Sequence, residues 1–302
     1  MNPEMMPPKE SPNRCRLFSQ TILRPRSAFG RVELLVVVAV LALLAEMRIA
    51  HWDHAKSKSQ ASACLGNLNQ LIRAWNLYAQ DNSGKLVMAF HGGNAVGGAA
   101  ANTAANAPWA LGWLDWTTSS DNTNVLFLTN DRYSRLATYL GHDARVFKCP
   151  ADTYISKTQR ARGWTPRVRT YVCSLGVGAG NAEEGPWEPI YGHVKKITEF
   201  TWPSPAEAFV YTEEHPDSLN DPGLFSPRES SWVDVPGTFH NGSGGFVFAD
   251  GHAEMHAWTA SMATPAARRV TASVFRSPPA VAGDRDLHWM SYHTVRISEK
   301  SY

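Results

Sequence analysis

The sequence predicts an α+β fold, with one long N-terminal helix followed by a loop-rich head built on an antiparallel β-sheet. Three observations predict it. The uninterrupted apolar run Leu34 to Ala45 passes into a segment whose apolar residues recur at three- and four-residue steps. Past residue 85, short apolar stretches alternate with turns rich in Gly, Pro, Asn and Asp. Hydrophobic residues make up 43% and charged residues 19% of the 302, a balance that folds rather than stays disordered.

The elements follow in order, with boundaries at 1–28, 29–50, 51–84 and 85–302. Residues 1–28 are polar and Pro-rich, with five basic residues (Lys9, Arg14, Arg16, Arg24, Arg26) against Glu4 and Glu10. They read as a basic leader. The rest of the chain carries 24 basic and 25 acidic residues, so it lacks the surplus of positive charge that phosphate neutralisation demands, and no nucleic-acid partner is expected. Basic residues ahead of the Leu34–Ala45 run describe an export or membrane-insertion signal. Its twelve residues rise only ~18 Å, against a hydrocarbon core of ~30 Å. Counting 29–50 as an anchor helix lengthens the segment, with Arg31 and Arg48 near its ends. Glu33 inside it is costly without a positive partner.

Phe29-x-x-x-Glu33-Leu34-Leu35-Val36-Val37-Val38-Ala39 resembles the signal of type IV prepilins and type II secretion pseudopilins. The resemblance implies a cut between Ala28 and Phe29 by a prepilin peptidase and methylation of the new N-terminus. It also implies that Glu33 neutralises the N-terminal amine of a neighbouring subunit. The family has Gly where this chain has Ala28, and stays apolar where this chain has Arg31, Glu46 and Arg48. The implied fold is pilin-like: the first half of the helix lies in the membrane and the second half packs under the head.

In that second half, Cys64, Leu65, Leu68, Leu71, Ile72, Trp75, Tyr78 and Ala79 form one apolar stripe, and Asp81 to Gly84 ends it. This stretch, together with the His240-x9-Asp250-Gly251 spacing, is similar to large pilin-like proteins of planctomycete and verrucomicrobial type. In the head, residues 91–107 read as a low-complexity loop and residues 123–140 as a helix. Residues 146–152 and 169–173 read as short strands, and Ala208–Tyr211 as a buried strand. Phe246–Ala249 and Gly251–Trp258 read as a hairpin turning at Asp250-Gly251. Trp109, Trp113 and Trp116 form an aromatic cluster, read as a lid on the core, with a carbohydrate-stacking platform as the alternative.

Two constellations could carry chemistry. His252, Glu254 and His256 alternate along a strand and so share a face, with His240 and Asp250 nearby. Imidazole and carboxylate on one face suit a divalent metal. Glu213, Glu214, Asp217, Asn220 and Asp221 crowd one loop, and oxygen-rich loops suit calcium. Type II pseudopilins resemble this chain in having such a calcium loop. Calcium or another divalent metal is therefore the cofactor to consider. Outside the leader, which holds Cys15, Cys64, Cys149 and Cys173 are disulfide candidates, with Cys149–Cys173 and Cys64–Cys149 the pairings to test. No CxxC, Gly-x-Ser-x-Gly or His-Glu-x-x-His appears, so no enzyme activity is expected.

The expectation is thus a pilin- or pseudopilin-like structural subunit, a single-pass protein of the cytoplasmic membrane with its head outside. Its partners would be related subunits, a prepilin peptidase and an assembly platform. The alternatives are a tethered binding module for glycan or metal, or a hydrolase using the His240/Asp250/His252/Glu254/His256 face.

Overall fold

The computed structural model describes residues 30–99, 103–179, 189–259 and 283–300. The leader, the Ala28–Phe29 junction and Cys15 lie outside them. The chain divides into two compact units, Met1–His51 and Trp52–Tyr302.

The first unit is described from Gly30 onward and holds the start of helix α1 (Arg31–Asp81). Its large apolar side chains from Val32 to Leu44 are exposed. Glu33 lies in the first turn and its Oε2 accepts the Gly30 N–H at 2.8 Å, capping a helix-start donor. Among the described residues no helix is long and apolar enough to cross a membrane. This overturns the expected membrane-embedded half, the transmembrane helix and the single-pass location. The reason is length: Glu46 and Arg48 stop the apolar run far short of a bilayer's thickness.

In the second unit, Cys64, Leu68, Leu71, Ile72, Trp75 and Ala79 are all buried, and α1 ends at Asp81. Gly84, at φ +79°, donates its N–H to the Ala79 carbonyl and closes the helix. The stripe packs on a five-stranded sheet of β1 (Tyr171–Ser174), β2 (Phe209–Glu213), β3 (Gly223–Leu224), β4 (Ser243–Phe248) and β5 (Ala253–Ala257), in the order β3-β1-β2-β4-β5. The β4–β5 hairpin turns at Asp250-Gly251, with Gly251 at φ +99°.

The sheet is mixed, not antiparallel as expected, because β3 runs parallel to β1. The cause is the chain between β2 and β3, which crosses to the far side of β1. Arg167 donates to the Pro216 and Leu219 carbonyls, and Arg169 to the Asn220 carbonyl. The guanidiniums thus hold this loop across the sheet, and β4 takes the place beside β2. The expected pilin-like fold class therefore fails on both its membrane half and its sheet.

Residues 123–140 are not one helix. They form α2 (Leu126–Thr129), turns and a 3-10 turn at Thr138–Leu140. Asn124 and Asn130 side chains accept the Leu126 and Arg132 N–H groups, and such local bonds compete with helix propagation. Residues 144–147 make a 3-10 turn rather than a strand. The other described helices are α3 (Lys157–Ala161) and α4 (Arg285–His293). α4 covers the opposite sheet face, where Leu287 and Met290 join Val172, Phe209, Phe246 and Phe248.

One irregularity orients the sheet toward α1. Phe209 pairs with Phe248 but Tyr211 pairs with Val247, so two steps on β2 match one on β4. This β-bulge at Val210 reverses the side-chain phase. Phe209 and Phe248 point away from α1, whereas Tyr211 and Val247 point toward it. Glu213, two residues past Tyr211, follows the same face.

Candidate metal centre

Four side chains from four segments meet between α1 and the sheet. Cys64 comes from the buried stripe of α1, and Glu213 from the end of β2 beyond the bulge. Cys149 follows the 3-10 turn Ala144–Phe147, whose start is capped by Asp143. His240 precedes β4 in a tight turn, where Asn241 and Gly242 both have positive φ (53° and 80°) and His240 and Ser243 exchange backbone hydrogen bonds. That Asn-Gly pair is what a two-residue turn of this hand requires. One potential ligand atom from each lies within 4.8 Å of the others, and all four residues are buried.

The geometry converges on one point. His240 Nε2 is 3.1 Å from Glu213 Oε1 and 3.4 Å from Cys149 Sγ. A single ring nitrogen carries at most one proton, so it can serve both neighbours only by sharing that proton between them. A Cys–His catalytic pair would instead use opposite ring nitrogens for the thiol and the carboxylate. Ligand atoms around a four-coordinate zinc at about 2.0–2.3 Å stand roughly 3.3–3.8 Å apart, close to the two spacings at His240 and within the 4.8 Å that bounds the cluster. The cluster could therefore hold a metal ion.

Each sulfur is met by a hydrogen-bond donor. The Tyr171 O–H donates to Cys64 Sγ at 3.3 Å, and the Ala151 N–H to Cys149 Sγ at 3.3 Å. The Gly245 N–H donates to Glu213 Oε2 at 2.7 Å and fixes the carboxylate. Burial pushes the Cys64 thiol well above its ordinary value, with Cys149 and Glu213 adding to the shift. Burial alone would lower the His240 pKa, but the Cys149 and Glu213 contacts outweigh it and carry it up to about 10. With only protons to balance its charge, the cluster retains them; a divalent cation would displace them.

Gly245 makes the space. A Cβ there would stand 2.8 Å from Leu68 Cδ1 and 3.1 Å from Cys64 Sγ. Gly245→Ala is expected to push α1 off the sheet at this point, costing about 1–3 kcal/mol in a urea melt. The same change at Gly251, which meets nothing within 4 Å, should disturb the turn and leave the cluster intact.

The remaining candidates do not assemble. The Asp217 carboxylate accepts the Trp116 indole N–H at 2.8 Å, while Asp221 accepts the Gly92 and Gly223 N–H groups. With Glu213 facing α1, the three acidic groups of the supposed calcium loop go separate ways. The loop's carbonyls meet Arg167 and Arg169, so the protein's own cations occupy what calcium would need. Asp250 and His252 pair with each other at 2.6 Å in the exposed hairpin turn. Glu254 is exposed, and His256 stacks on Trp289 at 3.7 Å. The metal and hydrolase readings of that face therefore do not hold. Trp109 is fully buried and stacks on Phe147, and Trp116 is buried under Arg167, so they line no glycan platform.

Of the two disulfide pairings, the structure brings Cys64 to Cys149. Cys173 lies outside the cluster, and all three are free thiols. The sequence marks each of the four cluster residues but separates them into thiols, loop and histidine face. No family model, no curated protein and no solved structure matches the chain. With no helix among the described residues long and apolar enough to cross a membrane, the transmembrane part of the pilin and secretion reading does not stand, and no match supports the rest, methylation included.

Proposed function

We propose that this protein is a metal-binding domain that holds one zinc-class cation through Cys64, Cys149, Glu213 and His240. The observation that carries it is the convergence of a thiol and a carboxylate on the same nitrogen of His240. Two thiolates and an imidazole favour zinc over calcium or magnesium, which take oxygen ligands. All four positions come from protein and are buried, the arrangement of a structural ion rather than a catalytic one with an open position. The ion would join α1, the residue 149 loop, β2 and the start of β4, so binding and folding should be coupled.

The test is metal analysis of the full chain after exhaustive dialysis, followed by cobalt titration. One equivalent of zinc is expected, and cobalt should give the intense near-ultraviolet absorption of thiolate ligation. Chain that folds with no bound metal, and takes up neither zinc nor cobalt, overturns the proposal.

A further inference from the structure

We infer that Cys64 and Cys149 are also an oxidation site: a hydroperoxide converts them to a disulfide, and the metal ion is expelled. The release of the ion rests on the metal reading; the bond itself needs only the two sulfurs.

Both sulfurs belong to a cluster whose ligand atoms all lie within 4.8 Å, so a short movement joins them. The two sides differ in what holds them. Cys64 sits in the middle of α1 with its stripe buried against the sheet. Cys149 sits in irregular chain fastened to α1 by side-chain amides. Asn67 Nδ2 donates to the Lys148 carbonyl at 2.9 Å, and Gln60 Nε2 to the Pro150 carbonyl at 3.2 Å. Cys149 also borders an open groove of about 680 Å³ between α1 and residues 143–153. Cys149 itself is buried at the edge of this groove, which is the short side of the cluster for a small oxidant to enter once the loop moves. Cys173 is the internal control. It is buried in β1, its thiol donates to the Ser174 carbonyl and it lies outside the cluster, so no second sulfur is placed to join it.

The chemistry balances. The Cys149 thiolate attacks one peroxide oxygen, the O–O bond breaks, and the leaving oxygen departs as water after taking up protons. Cys149 is then a sulfenic acid. The Cys64 thiolate attacks that sulfur, the S–S bond forms, the S–O bond breaks, and the second oxygen leaves as water. Two electrons pass from the sulfurs to the peroxide. Two thiols and one hydroperoxide give one disulfide and two waters, or one water and an alcohol from an alkyl hydroperoxide. Glu213 and His240 remain as only two ligands, too few to retain a zinc-class ion.

The experiment treats the full-length, zinc-loaded chain with hydrogen peroxide, follows zinc with a chromogenic chelator and maps tryptic peptides without reduction. Segment 59–73 holds Cys64 and segment 149–157 holds Cys149. The expected result is these two peptides joined, one zinc released per bond, and both changes reversed by a dithiol reductant. Zinc-loaded chain whose Cys64 and Cys149 stay reduced, oxidise separately to sulfinic acids, or pair with Cys173 overturns the inference and leaves the metal reading standing. The same cross-link in chain that never bound zinc supports the disulfide and overturns the metal reading instead.

Discussion

Glu213→Ala is expected to cost about 3–5 kcal/mol of stability and to abolish tight zinc binding. The carboxylate is fully buried, faces His240 through one oxygen and takes the Gly245 N–H on the other. Alanine strands that N–H and leaves His240 beside a cavity; losing one member of a buried charged set carries this size of penalty. Glu213→Gln separates the two contributions. Its side-chain oxygen still accepts the Gly245 N–H, so most of the metal-free stability should survive. It supplies no anionic ligand, so zinc affinity should fall 100-fold or more. Urea melts with and without zinc, alongside competition with a chelator, check both. Equal zinc affinity in the Gln variant and the natural chain would remove Glu213 from the ligand set.

Arg169→Met is the second change of that size. The Arg169 guanidinium is buried and donates to the Tyr171 and Asn220 carbonyls, fastening the β2–β3 crossover. Burial pulls its pKa down to about 10, with Glu214 and Asp221 opposing, so it is cationic at neutral pH. Methionine fills similar volume but takes the guanidinium from the Tyr171 carbonyl, leaves the Asn220 carbonyl only the Leu114 N–H and leaves nearby carboxylates uncompensated, for a loss of about 3–5 kcal/mol. The pH dependence has a definite sign. Burial raises the Asp221 pKa from 3.8 to about 6. A carboxylate raised in the folded state contributes stability below its unfolded pKa and loses it as pH climbs through the folded one. Removing Arg169 raises Asp221 further, so the two proteins lose stability in parallel at lower pH and the variant's deficit should widen only as pH climbs through about 6 and above. A deficit that is constant across that window would mean the carbonyl contacts alone account for it.

Parts of this molecule are plain in its residue order. The three- and four-residue spacing from Cys64 to Ala79 marks a buried helical stripe, and Ala208–Tyr211 marks a buried strand. Asp250-Gly251 marks a hairpin, because only certain residues tolerate that turn. What stays hidden is set by long-range contacts. The bulge at Val210 has no local signature, since Phe209, Val210 and Tyr211 are all good strand residues. Yet that bulge decides which face Glu213 takes. The parallel placement of β3 depends on two arginines reaching carbonyls about 50 residues away. Residues 123–140 have helical spacing, but Asn124 and Asn130 divert the backbone.

The metal cluster shows the same division. Cys64, Cys149, Glu213 and His240 each stand out by residue type, and none of the ordinary short zinc spacings links them. Ligands drawn from four segments, up to 176 residues apart, become a set only through the fold. One local sign points there: Cys64 lies on the stripe that must face the sheet. The Gly244-Gly245 pair is a second sign that sequence reasoning missed; the structure places it inside β4, where α1 comes close.

X-ray absorption at the zinc edge of the reconstituted chain tests the central claim most directly. Two sulfur ligands at about 2.3 Å and two nitrogen or oxygen ligands at about 2.0 Å are predicted, with one sulfur lost in Cys149→Ser. A shell of oxygen ligands alone, or a spectrum unchanged in that variant, would contradict it.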